Sequence, residues 1–319
     1  FINIDGGTIG TVYGGSNTNG TVPTTNVNIN GGVTDTVYGG NNMGGNTITA
    51  NVNVYTNGTA GDVYGGGNEA ITTETKVVIN GTVTGSIYGG GNLAQIETST
   101  DVLVENAKVT NNVYGGGNEG IVQQDANVHI KNSELENSVY AGGNGTAAIV
   151  KGNTLLTIDG SSTKITKNAF GGGNKAATGE EGVDTSLSTV DIVSGEIGGN
   201  VYGGANTSVV YGKTKTSIGF DAVQNQNLEK GDLHIGGTVF GGGEANESGD
   251  EIYDFDFISV TKGIEIFIDG NGYDNFDIDG SIFGSGNASS TSGTSRIDIK
   301  NYGTPDDPKY NISIQRTNT

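Results

Sequence analysis

The sequence predicts an all-β protein, a right-handed parallel β-helix (β-solenoid) of about ten coils. Three observations lead there. A unit resembling V-Y-G-G-G-N recurs ten times, with its aromatic at Tyr13, Tyr38, Tyr64, Tyr88, Tyr114, Tyr140, Phe170, Tyr202, Phe240 and Phe283. Successive gaps are 25, 26, 24, 26, 26, 30, 32, 38 and 43 residues, the period of stacked copies of one supersecondary unit. Finally, 58 of the 319 residues are Gly, about 18 % against a usual ~7 %, with 3 Pro and no strict G-X-Y period, which excludes collagen.

Each coil opens on a strand. In NVNIN, Val27 and Ile29 alternate with asparagines, the period of a half-buried strand. The inward pair recurs as Ile2/Ile4, Val52/Val54, Val77/Ile79, Val102/Val104, Val128/Ile130, Leu156/Ile158, Val190/Ile192, Ile264/Ile266 and Ile297/Ile299. The outward positions between them form a row: Asn3, Asn28, Asn53, Val78, Leu103, His129, Thr157, Asp191, Glu265 and Asp298. That row is too irregular for a repeating ice-binding face.

A second block follows. Val33, Val83, Val109, Leu135, Ile165, Ile197, Ile235 and Ile278 sit five residues before the aromatic. Two residues later come Asp35, Gly85, Asn111, Asn137, Lys167, Gly199, Gly237 or Gly280, which reads as a corner of positive φ. Alternation then puts the residue before the aromatic inside and the ring outside. Two accounts of the rings follow. They stack on one another and shield the glycine turn, or they form a stripe that stacks on sugars. The first is favoured, because Phe at 170, 240 and 283 lacks a hydroxyl for a sugar.

Asn occupies the fourth position after nine of the ten aromatics: Asn17, Asn42, Asn68, Asn92, Asn118, Asn144, Asn174, Asn206 and Asn287, with Glu244 departing. Copies about 4.7–4.9 Å apart would form a hydrogen-bonded amide ladder. The glycines before it let neighbouring coils approach closely.

The solenoid spans 1–303, with larger insertions near 176–188, 207–232 and 244–276. Residues 304–319 hold two of the three prolines and read as a cap or linker. The chain begins inside a strand pattern at Phe1 without Met, so other domains of a longer chain are expected, as is cover for the strand edges at both ends.

Net charge is −20 with only two arginines, Arg296 and Arg316, which argues against nucleic acid as a partner. No cysteine is present, so thiolate metal sites, cysteine nucleophiles and disulfides are excluded. No apolar run approaches the ~20 residues of a membrane span. No cofactor is expected, with calcium the one candidate. Asp269, Asn271 and Asp274 place oxygens in a Gly-rich loop, although Tyr273 stands at an EF-hand ligand position and no Glu closes the loop.

No catalytic residue is assigned. His129 and His234 sit between aliphatics and read as ordinary surface residues. Carboxylates gather at Glu244, Glu247, Asp250, Glu251, Asp254, Asp256, Asp269, Asp274, Asp277 and Asp279, a pattern that is usually a solvated face. Glycosidases need two carboxylates at about 5–10 Å, so this cluster carries the enzymatic alternative.

The (T/S/N)-(V/I)-(Y/F)-G-G-G-N units, with their aromatic and Asn rows over residues 1 to about 302, resemble the parallel β-helix repeat regions of large bacterial surface proteins, such as adhesins and autotransporter-type passengers. The resemblance implies a secreted or surface-attached protein that projects loops toward a glycan or a protein of a neighbouring or host cell. It implies no catalytic residues. The alternative is a β-helix polysaccharide lyase or glycoside hydrolase using the C-terminal carboxylates.

Overall fold

A computed structural model describes residues 1–225, 227–245, 258–302 and, as backbone, 310–318. Nearly all of it is β, in one large sheet whose strands pair in parallel from coil to coil except the last, with a separate two-stranded parallel sheet of Ile258–Val260 and Ser290–Thr291. The long face runs through Ile2–Tyr13, Thr21–Tyr38, Asn46–Val54, Ile71–Ile79, Thr100–Glu105, Ala126–Lys131, Thr154–Asp159, Ser186–Ile192, Gly212–Ile218, Gly263–Asp269 and Gly293–Tyr302. Those are eleven rungs, one more than the ten ring strands.

The additional rung is Gly212–Ile218. It lies inside the stretch expected to be the 207–232 insertion, so the true insertion is 219–232. The strand was hidden because its core pair is Thr216/Ile218 rather than two aliphatics. Register also moves the next pair. Ile266 and Ile268, not Ile264 and Ile266, continue the columns from Thr216 and Ile218. The outward row accordingly runs Asp191, Ser217, Phe267, Asp298, and Glu265 belongs to the neighbouring row with Lys215 and Arg296.

The core is a set of columns of self-stacked aliphatics. Val27, Val52, Val77, Val102, Val128, Leu156 and Val190 form one, all at most 1 % exposed. Burying each such side chain contributes about 1.5–3 kcal/mol. A third column, Ile96, Val122 and Val150, lines the interior before the long strand and continues through bridges to Thr178, Val210 and Val260. Val33 departs from expectation. It is 41 % exposed, while Thr34 is buried in register with Ala60, which continues to Val83. In the early coils the inward position lies four residues before the ring, because the corner there is one residue tighter.

The positive-φ corner also moves. None of Asp35, Gly85, Asn111, Asn137, Lys167, Gly199, Gly237 or Gly280 has positive φ; the left-handed residues lie earlier, between the long strand and the short one, at Gly32, Asn106, Asn132, Gly160 and Gly195. The glycines at the expected corner are there for space. A Cβ on Gly85 would meet the carbonyl carbon of Gly61 at 2.7 Å.

Five of the glycine turns after a ring are tied from inside. Hydroxyls of Thr25, Thr75, Thr100, Ser188 and Thr214 donate to the carbonyls of Gly39, Gly89, Gly115, Gly203 and Gly241 at 2.6–2.7 Å. Buried turn carbonyls require such partners. At the C-terminal end, Tyr310–Asn318 pairs antiparallel with Gly293–Tyr302 and covers the edge of the last rung.

Close approach at the turn sets a test. A Cβ on Gly116 would lie 2.8 Å from both N and Cα of Gly143, whereas one on Gly10 meets nothing within 4 Å. Gly116→Ala is expected to lower stability by about 1–3 kcal/mol, and Gly10→Ala to leave it unchanged or raise it by less than about 1 kcal/mol, in paired denaturant unfolding curves.

Candidate functional site

The two repeated rows define the regular part of the surface. Successive rings stack with centroids 4.6–5.3 Å apart and planes within 2–11°. The rings do not lie open outside the coil. Tyr38, Tyr64, Tyr88, Tyr114, Tyr140, Phe170, Tyr202 and Phe240 are at most 8 % exposed, and Phe283, at the end of the row, is 47 % exposed. Burial pushes the Tyr38 hydroxyl up to about 12. A sugar has no open aromatic stripe to stack on along the middle of the rod.

The amides form a directional chain. Each Nδ2 of Asn42, Asn68, Asn92, Asn118, Asn144, Asn174 and Asn206 donates to Oδ1 of the preceding Asn, beginning at Asn17, at 2.8–3.0 Å. Glu244 takes the next place. Its Oε2 accepts from Tyr202 Oη at 2.6 Å and from Asn287 Nδ2 at 2.8 Å.

A second polar row lies two residues before each ring. Backbone N–H groups of Ser86, Ser138, Asn200 and Thr238 donate to the side chains of Asp62, Asn112, Asn168 and Asn200 on the preceding coil, at 2.7–3.1 Å. The sequence signal was the polar residue recurring at that position, without an obvious partner.

Irregularity begins where segment 219–232 crosses the long face. Its one helical turn, Phe220–Val223, packs against the strands Ser186–Ile192, Gly212–Ile218 and Gly263–Asp269. This strap buries Val193 and Ser217, which would otherwise face solvent. Tyr273 holds one end, accepting from the Phe220 N–H at 2.7 Å and donating to the Val193 carbonyl at 2.6 Å. The other end closes on Asp159, whose side chain is 1 % exposed. Asp159 Oδ2 accepts from the Glu229 N–H at 2.7 Å, and Oδ1 is 2.5 Å from His129 Nε2. His129 is therefore part of a polar latch closed on the buried Asp159 and not an ordinary surface residue. Its counterpart His234 is an exposed pair with Asp279 at 3.1 Å.

Asp191 lies under the same region, one rung beyond Asp159 and two positions back. Rung spacing and residue rise put their Cα atoms roughly 8 Å apart. Their environments differ. Burial raises the Asp191 carboxyl above its ordinary 3.8, offset in part by Ser217 and Lys215, and its Oδ1 is buried without a hydrogen-bond partner. Burial acts the same way on Asp159, but hydrogen bonds from His129 and the Glu229 N–H, with the charges of His129 and Lys131, outweigh it and hold that carboxyl below 3.8.

In the Asp269–Asp274 loop, Asp269 and Asn271 are engaged by other protein groups. Asp269 Oδ1 accepts from the Asn271 N–H at 3.1 Å and Asn301 Nδ2 at 2.9 Å, and Asn271 Nδ2 donates to Asp221 at 2.7 Å. The Lys230 ammonium donates to the Asn271 carbonyl at 3.0 Å, where a bound cation would be repelled. Among the described residues no group of three or more His, Asp or Glu is arranged to hold a metal ion. Glu247, Asp250, Glu251, Asp254 and Asp256 lie outside the described residues.

No known family model matches the chain, and neither the curated proteins nor the solved structures show a similarity to it.

The opposite settings of the two carboxylates generate opposite pH dependences. Asp159, held low, stabilises the fold above pH 3.8, and that contribution is lost as pH falls through its lowered value. Asp191, held high, stabilises below 3.8, and its contribution is lost as pH rises through its raised value. At pH 7, Asp159→Asn should cost about 1–3 kcal/mol and open 219–232 to proteases, while Asp191→Asn should be neutral or stabilising. Near pH 3 the gap between the variants should narrow. Unfolding curves at both pH values, with limited proteolysis, check this.

Proposed function

We propose that the chain is the stiff display rod of a secreted or cell-surface, adhesin-like bacterial protein, holding loops toward a glycan or protein partner. One observation carries the reading. The early coils are locked by unbroken ring and amide rows, and departures from the repeat gather on the later coils, in 176–188, 219–232 and 270–275. A shape that repeats without variation supplies stiffness and reach, and specificity needs the places where it varies. The resemblance of the repeat units to bacterial surface β-helices agrees with an extracellular setting. The absence of cysteine and the charge of −20 are compatible with it.

The second reading is a polysaccharide lyase or hydrolase. Asp159 and Asp191 favour it, because two carboxyl groups on adjacent rungs with values pushed in opposite directions are the pattern of a general acid and base. Against it, Asp159 is sealed beneath the strap and both its oxygens already accept hydrogen bonds.

Arrays of glycans and cell-surface proteins separate the readings. Binding is expected, and replacing 180–185, 219–232 or 270–275 by Gly-Ser loops of equal length should abolish it while circular dichroism keeps the β signal. Binding untouched by every replacement would overturn the placement on the loops. Release of oligosaccharides from a polysaccharide, lost in Asp191→Asn, would replace the rod with the enzyme.

A further inference from the structure

Beyond the strap, the long face carries an open hollow of about 420 Å³, within the size range of small-ligand sites. It lies on the rungs Gly212–Ile218, Gly263–Asp269 and Gly293–Tyr302 and is lined by Lys213, Lys262, Gly263, Glu265, Thr294 and Arg296. Register makes the hollow. Lys213 pairs with Gly263 and Gly263 with Thr294, so the middle rung has no side chain at that place. Its φ of +127° restricts the position to glycine, and a Cβ there would meet the Thr294 carbonyl oxygen at 2.6 Å.

The cations around it are available. Lys213 is exposed and has no partner among the described residues. Lys262 pairs with Asp184 at 2.7 Å, but both side chains are nearly half exposed, and such a pair exchanges readily for another anion. Arg296 is held in place by the Phe267 ring, 5.3 Å from its guanidinium carbon, and by Asp298 on one edge. Its remaining N–H groups are free to meet a planar carboxylate in fork geometry.

One acceptor sits among these donors, Glu265, in register between Lys215 and Arg296. A bare inorganic anion would be repelled by it. A ligand carrying both a carboxylate and hydroxyls would use it, since the hydroxyls need an acceptor. We propose that this hollow binds one acidic sugar residue, a uronic or comparable carboxylated unit of an acidic glycan. Lys213 and Arg296 take the carboxylate, Lys262 exchanges Asp184 for it or for a ring oxygen, and Glu265 accepts from hydroxyls. The inference keeps the display-rod reading, names a ligand class, and places that ligand on the rungs rather than on the loops, so binding here should survive the loop replacements.

Calorimetric titration of the whole chain with a galacturonate oligomer and with a neutral galactose oligomer of equal length tests it. The acidic oligomer should bind, more weakly as salt rises, and the neutral one at least about tenfold more weakly. Lys213→Ala and Arg296→Gln should each weaken the acidic oligomer about tenfold or more, Glu265→Ala should weaken it too, and Lys108→Ala, a distant surface lysine, should not. Since Arg296 also touches Phe267, Lys213→Ala is the variant that carries the test if Arg296→Gln lowers stability. Equal affinity for both oligomers, insensitivity to Lys213→Ala, an equal effect of Lys108→Ala, or no binding of the acidic oligomer overturns the proposal. Tighter binding in Glu265→Ala would show Glu265 as repulsive and overturn its role. Neutral-oligomer binding that survives Lys213→Ala would leave the display rod standing without this site.

Discussion

The parallel ladder between successive coils constrains everything else. Backbone N–H and C=O groups of one coil pair with the next, which fixes rung spacing near 4.8 Å. Every side chain then meets its own equivalent above and below at that distance. Columns must be made of residues that tolerate themselves. Aliphatics pack, rings stack at 4.6–5.3 Å, and amides both donate and accept. Like charges cannot follow one another, and the exposed column beside the short strands solves this by alternation. Lys108, Glu134, Lys164, Glu196 and His234 are consecutive in register, with Lys108–Glu134 at 3.2 Å and Lys164–Glu196 at 3.3 Å. Each such exposed pair adds little. Its value lies in the repulsion that a column of one sign would impose.

The same constraint determines what the sequence could disclose. A residue type that must match its neighbour one coil away repeats at the coil period, so the ring and Asn rows and the parallel solenoid are legible by eye. What depends on register within a coil is not. Val33 and Thr34 exchange roles because one corner is a residue tighter, and nothing in their identity marks that. The rung Gly212–Ile218 is hidden in the sequence because two core positions hold Thr214, which hydrogen-bonds the backbone, and Thr216, and a buried threonine reads as a polar surface residue. The corner of positive φ was placed one strand late for a related reason. Gly, Asn and Asp serve both for left-handed backbone and for close approach of coils, and the sequence does not distinguish the two uses.

The candidate site was legible only as disorder in a regular pattern. The lengthening gaps after Tyr140 pointed to the later coils, but the His129–Asp159 contact joins residues 30 apart, and Glu229 reaches Asp159 from 70 residues away. Such contacts depend on where an insertion lands after it leaves the stack. His129 looked ordinary because its neighbours in sequence are aliphatic. Its partner comes from the next rung, and the strap that seals that partner comes from coils later still.

Rows of identical residues also limit what a regular coil can do. A site needs unlike groups converging on one point, and a self-stacking column supplies the same group again at every rung. Breaking the column is therefore a condition of recognition. Gly263 stands in register between Lys213 and Thr294, and Glu265 interrupts a row of cations between Lys215 and Arg296. Both breaks fall on the last rungs, where the ring row has also lost its tyrosines to Phe240 and Phe283 and the amide row has accepted Glu244. The regular coils hold those rungs in place without requiring them to be regular. The antiparallel strand Tyr310–Asn318 then closes the edge that a stack of parallel coils leaves open. The residue pattern that makes the early coils uniform excludes the unlike groups that meet on the last rungs.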